Sequence, residues 1–170
     1  HFERSAMFEW GVELVLGGSG VMTARGKTCE LHPGDVFFFR PYEHVTYATA
    51  PRARGWQKVF LDFFPGNVAV IMQQLGLAER TYVRVSPQRL PRIRALFMRA
   101  LKLARTQPRH FRSSLSTLAY QLLLALSHEA LDPAHRDATP DNVVRVMTYV
   151  EQHPAHRLNI AQLAHIAGCS

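Results

Sequence analysis

The side chains of this 170-residue chain with the most chemical character are scattered histidines, two cysteines, a glycine cluster and one strand that mixes charge with aromatic rings. His32 stands beside the Pro33-Gly34 turn, His44 stands alone beside Glu43, and no His-x-His pair occurs. Metal catalysis needs three or four convergent His and carboxylate ligands, so a metal-dependent enzyme is kept only as an alternative. His44 fits better as a group that hydrogen-bonds its loop or borders a pocket mouth. Cys29 and Cys169 lie far apart and outside any Cys-x-x-Cys spacing, which argues for neither a disulfide framework nor a zinc site. Gly17, Gly18 and Gly20 lack the Lys-Ser/Thr ending and the following helix of a phosphate loop, and read as hairpin glycines. The richest stretch is W-Q-K-V-F-L-D-F-F over residues 56–64, whose period-2 alternation puts Trp56, Lys58, Phe60 and Asp62 on one face. Lys58 there either contacts a ligand or pairs with Asp62 or Glu13 within the wall, and both readings stay open.

Such side chains need a scaffold, and the stretch L-H-P-G-D-V-F-F-F-R-P-Y-E-H over residues 31–44 is its centre. Pro33 presets φ, Gly34 supplies the permissive position, and Asp35 can hydrogen-bond nearby backbone, so the chain turns there. Residues 36–39 are wholly apolar, β-branched or aromatic, which is how a strand buried on both faces reads. Residues 8–16 place Trp10, Val12, Leu14 and Leu16 on one side and Glu9, Gly11 and Glu13 on the other; the facing of Glu13 is left open. Further short strands are expected at 21–25, 28–31 and 45–48, before the long one at 56–64. After Pro65-Gly66 the apolar period changes to that of helices. These are expected at 67–74, capped by Asn67 and ended by Gly76, at 87–105, and at 111–131. In the last of these Leu115, Leu118, Leu122 and Leu126 form one stripe, and Tyr120, Leu123 and Leu124 widen it. That excess points to self-association, with Leu115, Leu118, Leu122 and Leu126 assigned to a dimer interface; burial between neighbouring elements is the alternative. Residues 132–140 read as a polar, Pro-containing linker, followed by helices at 142–153 and 160–167.

Hydrophobic residues make up 47% of the chain and charged ones 19%, and no apolar run reaches membrane-spanning length, so a folded cytoplasmic protein without membrane contact is expected. The formal charge is +7, and ten Lys or Arg but no Asp or Glu lie between Arg80 and Arg112. That segment is either the solvated face of helices or a phosphate-facing surface. The chain does not open on an initiator Met, and its numbering is expected to start inside a longer protein.

Three patterns coincide: L-x-P-G-D-x-x-x-x-x-P, W-x-x-x-F-x-x-F, and V-x-x-V-x-x-Y-V-x-x-H followed by L-x-I-x-x-L-A-x-x-A-G-x-S. Together they resemble the AraC family of bacterial transcription regulators. The last pattern, from Val143 to His153 and from Leu158 to Ser170, looks like the first two helices of that family's DNA-binding unit, and Ala164 and Gly168 are the small residues a helix-turn-helix requires. The resemblance implies an α+β fold: a cupin-like β barrel of jelly-roll type, a helical dimerisation layer, and a truncated helix-turn-helix. The domains would be a sensor and dimerisation domain over 1–131, a linker over 132–140, and an incomplete DNA-binding domain over 141–170 whose recognition helix would open at Ser170. It further implies a small-molecule effector inside the barrel, a homodimer, DNA binding by the full-length protein only, no cofactor and no catalytic residue. By position, Arg4 lies near a ligand-contacting Arg of the arabinose sensors, Tyr47 falls on a ligand-contacting Tyr, and Lys58 and Phe60 fall where those sensors place a His and a Trp. With Glu13, His44 and Trp56 these form the expected ligand-binding set. Lys58 and Arg4 replace part of the polar set for arabinose and would favour a carboxylate or other anion. A dimerisation module without an effector is the other alternative.

Overall fold

Strand β5 (Asp35–Phe39) is buried at every residue, because it is covered on both sides. Phe37 and Phe39 point into one apolar cluster and Val36 and Phe38 into another, as alternation along a strand requires. The computed structural model describes residues 2–4, 8–64, 66–131, 146, 149–150 and 159–167, and the chain divides into two units, His1–Asp132 and Pro133–Ser170.

Among the described residues the first unit contains eight strands in two antiparallel sheets. Strands β1 (Phe2–Arg4), β6 (Val45–Thr49), β3 (Gly20–Ala24) and β4 (Lys27–Leu31) form one sheet in that order, and β7 (Trp56–Phe63), β2 (Trp10–Gly18), β5 and β8 (Tyr82–Arg84) form the other. The sheets face each other over Val15, Met22, Ala24, Leu31, Phe37, Phe39 and Val45. The fold is therefore the α+β, cupin-like arrangement expected, with the ladders joined into two facing sheets. Local chemistry sets the turns. Arg25 and Gly26, both at positive φ, link the paired residues Ala24 and Lys27 in the manner of a two-residue hairpin. Asp35 accepts the His32 N–H at 2.8 Å, so its carboxylate closes the Pro33-Gly34 turn backwards, and it also pairs with Arg84 at 2.9 Å. That carboxylate raises the Arg84 guanidinium further above its ordinary value, chiefly through the side-chain hydrogen bond.

Helices α1 (Val68–Gln74), α2 (Leu90–Thr106) and α3 (Phe111–Leu131) cover the other face of the second sheet. α1 has Gly76 at positive φ just beyond its end, as the sequence suggests, whereas Asn67 stands at the N-cap position in a helical conformation and its side chain makes no capping hydrogen bond. α2 places Ile93, Leu96, Phe97 and Ala100 inward. α3 buries Leu118, Leu122, Leu123 and Leu126 in the same core. Its last turns are pinned by polar bonds as well. Buried Glu129 accepts the Ser86 N–H at 2.6 Å and Arg89 Nη1 at 2.8 Å, Ser127 donates to the Leu75 carbonyl at 2.7 Å, and Arg80 donates to the Ala130 carbonyl at 2.9 Å.

Two expectations change. No strand is expected before residue 8 or after residue 64, yet Phe2–Arg4 forms β1 against β6 and Tyr82–Arg84 forms β8 against β5; three residues are too few to show a period, and only the distant partners make them strands. Leu118, Leu122 and Leu126, expected at a dimer interface, are buried within this chain, and Leu115 packs partly buried against the same cluster. The stripe is consumed by the sheet and α2, since each core helix needs one such face for its own domain.

In the second unit α4 (Ile160–Ala167) is described. Asn159 and Gln162 exchange reciprocal bonds of 2.9–3.0 Å between side chain and backbone N–H, a capping-box geometry that fixes its start. Val146, Tyr149 and Val150 are helical. The linker over 132–140 and the small residue Gly168 lie outside the described residues.

Candidate functional site

Lys58 enters the space between the sheets from β7, an edge strand whose register with β2 sets Val15 opposite Lys58 and Glu13 opposite Phe60. Lys58 and Glu13 are thus diagonal neighbours on one face, within reach of a long side chain. Lys58 Nζ lies 2.6 Å from Glu13 Oε2, with side-chain exposures of 17% and 2%. Glu13, one of the two in-wall partners considered from the sequence, is paired with Lys58.

Three rings surround the same ammonium. Tyr47 of β6, on the opposite sheet, has its centroid 4.0 Å from Nζ, Trp56 4.6 Å and Phe37 5.4 Å. Phe37 and Trp56 stack at 5.8 Å and 13°, and Tyr47 meets both of them edge-on or nearly so. A cation over ring faces is favoured by the ring quadrupole, more strongly when desolvated. Lys58 therefore sits in a box of one carboxylate and three aromatic rings built from both sheets. Gly20 makes room for it: a Cβ there would stand 2.5 Å from the Trp56 ring. Gly20→Ala is expected to cost about 1–3 kcal/mol by overpacking and to move Trp56 off Phe37. The check is tryptophan fluorescence with a thermal melt; an unchanged spectrum and midpoint would show that Trp56 is not seated on Gly20.

Glu13, Tyr47, Trp56 and Lys58 of the expected ligand-binding set come together here. Phe60 shares their strand face but is 56% exposed and is not part of the inter-sheet cluster. His44 is exposed in the loop before β6. Arg4 is placed by its backbone, opposite Val45 at the sheet edge, and its side chain lies outside the described residues. Phe37 was missed from the sequence because β5 is apolar throughout, so composition did not reveal which face looks inward. Among the described residues no group of three or more His, Cys, Asp or Glu is placed to hold a metal ion, and no helix is long and apolar enough to cross a membrane.

The family described as AraC-like ligand binding domain matches residues 2–123. The chain belongs to that family. The match takes in both sheets, α1 and α2 and most of α3, which is the part of the AraC-like domain that builds the box around Lys58. No curated protein matches the chain. Among solved structures, similar chains include the AraC-like transcriptional activator CuxR, 14% identical with a TM-score of 0.45 over 99% of this chain and 62% of that one. Apo ToxT from Vibrio cholerae is 6% identical with a TM-score of 0.48, covering 98% of this chain and 64% of that one. ToxT bound to (E)-4-(8-methylnaphthalen-1-yl)but-3-enoic acid is 7% identical with a TM-score of 0.40, covering 99% and 66%. This chain thus spans less than two thirds of the length of CuxR and of apo ToxT.

Proposed function

We propose that this AraC-like domain is the sensor of an effector-responsive transcription regulator, and that its effector enters the space between the sheets beside Lys58. The observation that carries the reading is the buried Lys58–Glu13 pair inside three aromatic rings. A ligand gains there from flat apolar contact with Trp56 and Tyr47 and from a polar group that exchanges hydrogen bonds with the pair. An anion must compete with Glu13 for Lys58, which narrows the carboxylate preference drawn from the sequence to ligands that also satisfy Glu13.

The route outward is short. Tyr82 of β8 packs against the inter-sheet cluster. Arg40, just past β5, donates to the Ala78 and Arg80 carbonyls, and Arg80 in turn holds the Ala130 carbonyl of α3. A ligand that prefers one arrangement of β5 and β8 thereby biases the end of α3, from which the chain continues toward the DNA-binding helices. The full-length protein would act as a cytoplasmic homodimer on DNA, with no catalytic step. Association would use the outward side of α3, where Tyr120, Leu124, His128 and Leu131 recur about one turn apart, and Tyr120 and Leu131 are exposed.

The test is a thermal-shift and calorimetric screen of the chain against sugars, aromatic acids, carboxylates and fatty acids. A saturable hit is expected, weakened tenfold or more in Lys58→Arg, which keeps the charge but not the compact ammonium the rings enclose. A screen without any hit, or a hit indifferent to Lys58→Arg and Tyr47→Ala, would sink the proposed site. For association, sedimentation should show a dimer weakened by Tyr120→Asp; a monomer at high concentration would remove that part of the reading.

A further inference from the structure

The basic segment noted in the sequence has three of its cations committed within the fold: Arg80 to a carbonyl, Arg84 to Asp35 and Arg89 to Glu129. Two others, Arg99 and Lys102, line a cleft of about 560 Å³ between α2 and α3, outside the space between the sheets. No carboxylate lines that cleft, and the sequence places no Asp or Glu from Arg80 through His128. Two like charges held on one helix wall, without a counter-charge among the described residues, make a local positive potential that selects an anion.

The neutral groups of the cleft sort by what they can still do. The side chains of Ser114 and Gln121 make no hydrogen bond within the described residues, so both can donate to a ligand. Thr106 and Thr117 have already given their protons, to the Lys102 and Ser113 carbonyls at 3.0 Å each, and what they present to the cleft is acceptor lone pairs. The floor is Leu103 and buried Leu118. Donors and positive charge therefore coexist with hydroxyl acceptors over a small apolar base. The volume is that of a small-molecule site.

We infer that the α2–α3 cleft is a second ligand site, distinct from the proposed effector site, for a phosphomonoester of a hydroxylated carbon skeleton. The phosphate meets Arg99, Lys102 and the Ser114 hydroxyl through charge-assisted bonds. The ligand's own hydroxyls donate to Thr106 and Thr117, and its C–H face rests on Leu103 and Leu118. Occupation would bridge α2 and α3 beside the short connection that joins them, far along α3 from the turns held by Glu129 and Ser127.

Isothermal titration of the whole chain with glucose 6-phosphate, inorganic phosphate and glucose tests this. Glucose 6-phosphate is expected to bind once per chain, at least tenfold tighter than phosphate, with glucose weaker still, and the affinity should fall as salt rises. Arg99→Gln/Lys102→Gln should abolish binding, while Arg92→Gln, on the same helix but outside the cleft, should not change it. Thermal melts report that the variants fold. Equal losses in the Arg92 and the double variant would mean diffuse surface charge and overturn the site. Equal affinity for phosphate and glucose 6-phosphate would overturn the acceptor role of the threonines. Loss of binding in Lys58→Arg would place the ligand between the sheets and overturn the inference while leaving the sensor reading intact; loss only in the cleft variant supports the inference and leaves the sensor reading to its own screen.

Discussion

Lys58→Met is expected to destabilise the chain by about 3–5 kcal/mol, the range for a buried ion pair that loses one partner. The reason is the asymmetry of exposure. Glu13 is almost wholly enclosed, at 2%, so it loses its ammonium partner where little water can take that place, whereas Lys58 retains 17% of its surface. Glu13→Leu alone should therefore cost less, because the flexible lysine can turn its head toward solvent. The double variant Glu13→Leu/Lys58→Met should recover most of the loss, since an apolar pair of similar volume is often as stable as the ion pair it replaces. Urea denaturation of the wild type, both singles and the double closes the cycle and isolates the coupling. A loss in Lys58→Met of less than about 0.5 kcal/mol would match a solvent-exposed pair and would contradict the burial of Glu13. The same cycle separates stability from sensing: a double variant that folds well but no longer answers to an effector shows that the pair is retained for recognition.

Phe38→Ala is expected to cost about 3–5 kcal/mol, as for other buried aromatic residues cut back to a methyl. Phe38 is fully buried on a strand with neighbours on both edges, and it packs into the cluster shared with Phe97, Leu122 and Leu126. Its loss opens a void beneath α2 and α3, so hydrogen exchange at α3 amides should quicken while any effector affinity stays near wild type. Phe37→Ala is the partner experiment. It is just as buried but faces the Lys58 ammonium and stacks on Trp56, so its cost in stability should be similar and effector binding should weaken with it. A larger effect on binding from Phe38 than from Phe37 would mean that the assignment of the two faces of β5 is reversed.

The contrast between these neighbouring phenylalanines shows where sequence reading stops. That residues 36–39 form a strand covered on both sides was legible, because residue type and the Pro-Gly-Asp turn act over a few positions. The same holds for α1 with its Gly76 stop, for α3 from residue 111 to 131, and for the alternation that put Trp56, Lys58 and Phe60 on one face. The family pattern was also legible, and by position it picked out Tyr47 and Lys58 among the side chains that meet between the sheets, whereas the facing of Glu13 was not legible.

Only the tertiary structure decided the partners. Glu13 and Lys58 are separated by 45 residues, Asp35 and Arg84 by 49, and Arg89 and Glu129 by 40; each pair exists because β2 lies beside β7, β5 beside β8, or α3 against the start of α2. The leucines of α3 were correctly read as one apolar stripe and wrongly read as an outward one, since an amphipathic period states that a helix has a buried face but not what buries it. Sequence acts on the chain within a turn or two, and so it determined the longer elements and which of their faces are apolar. Which faces meet, and which charges are thereby enclosed, depends on contacts between residues dozens of positions apart, and that was settled by packing alone.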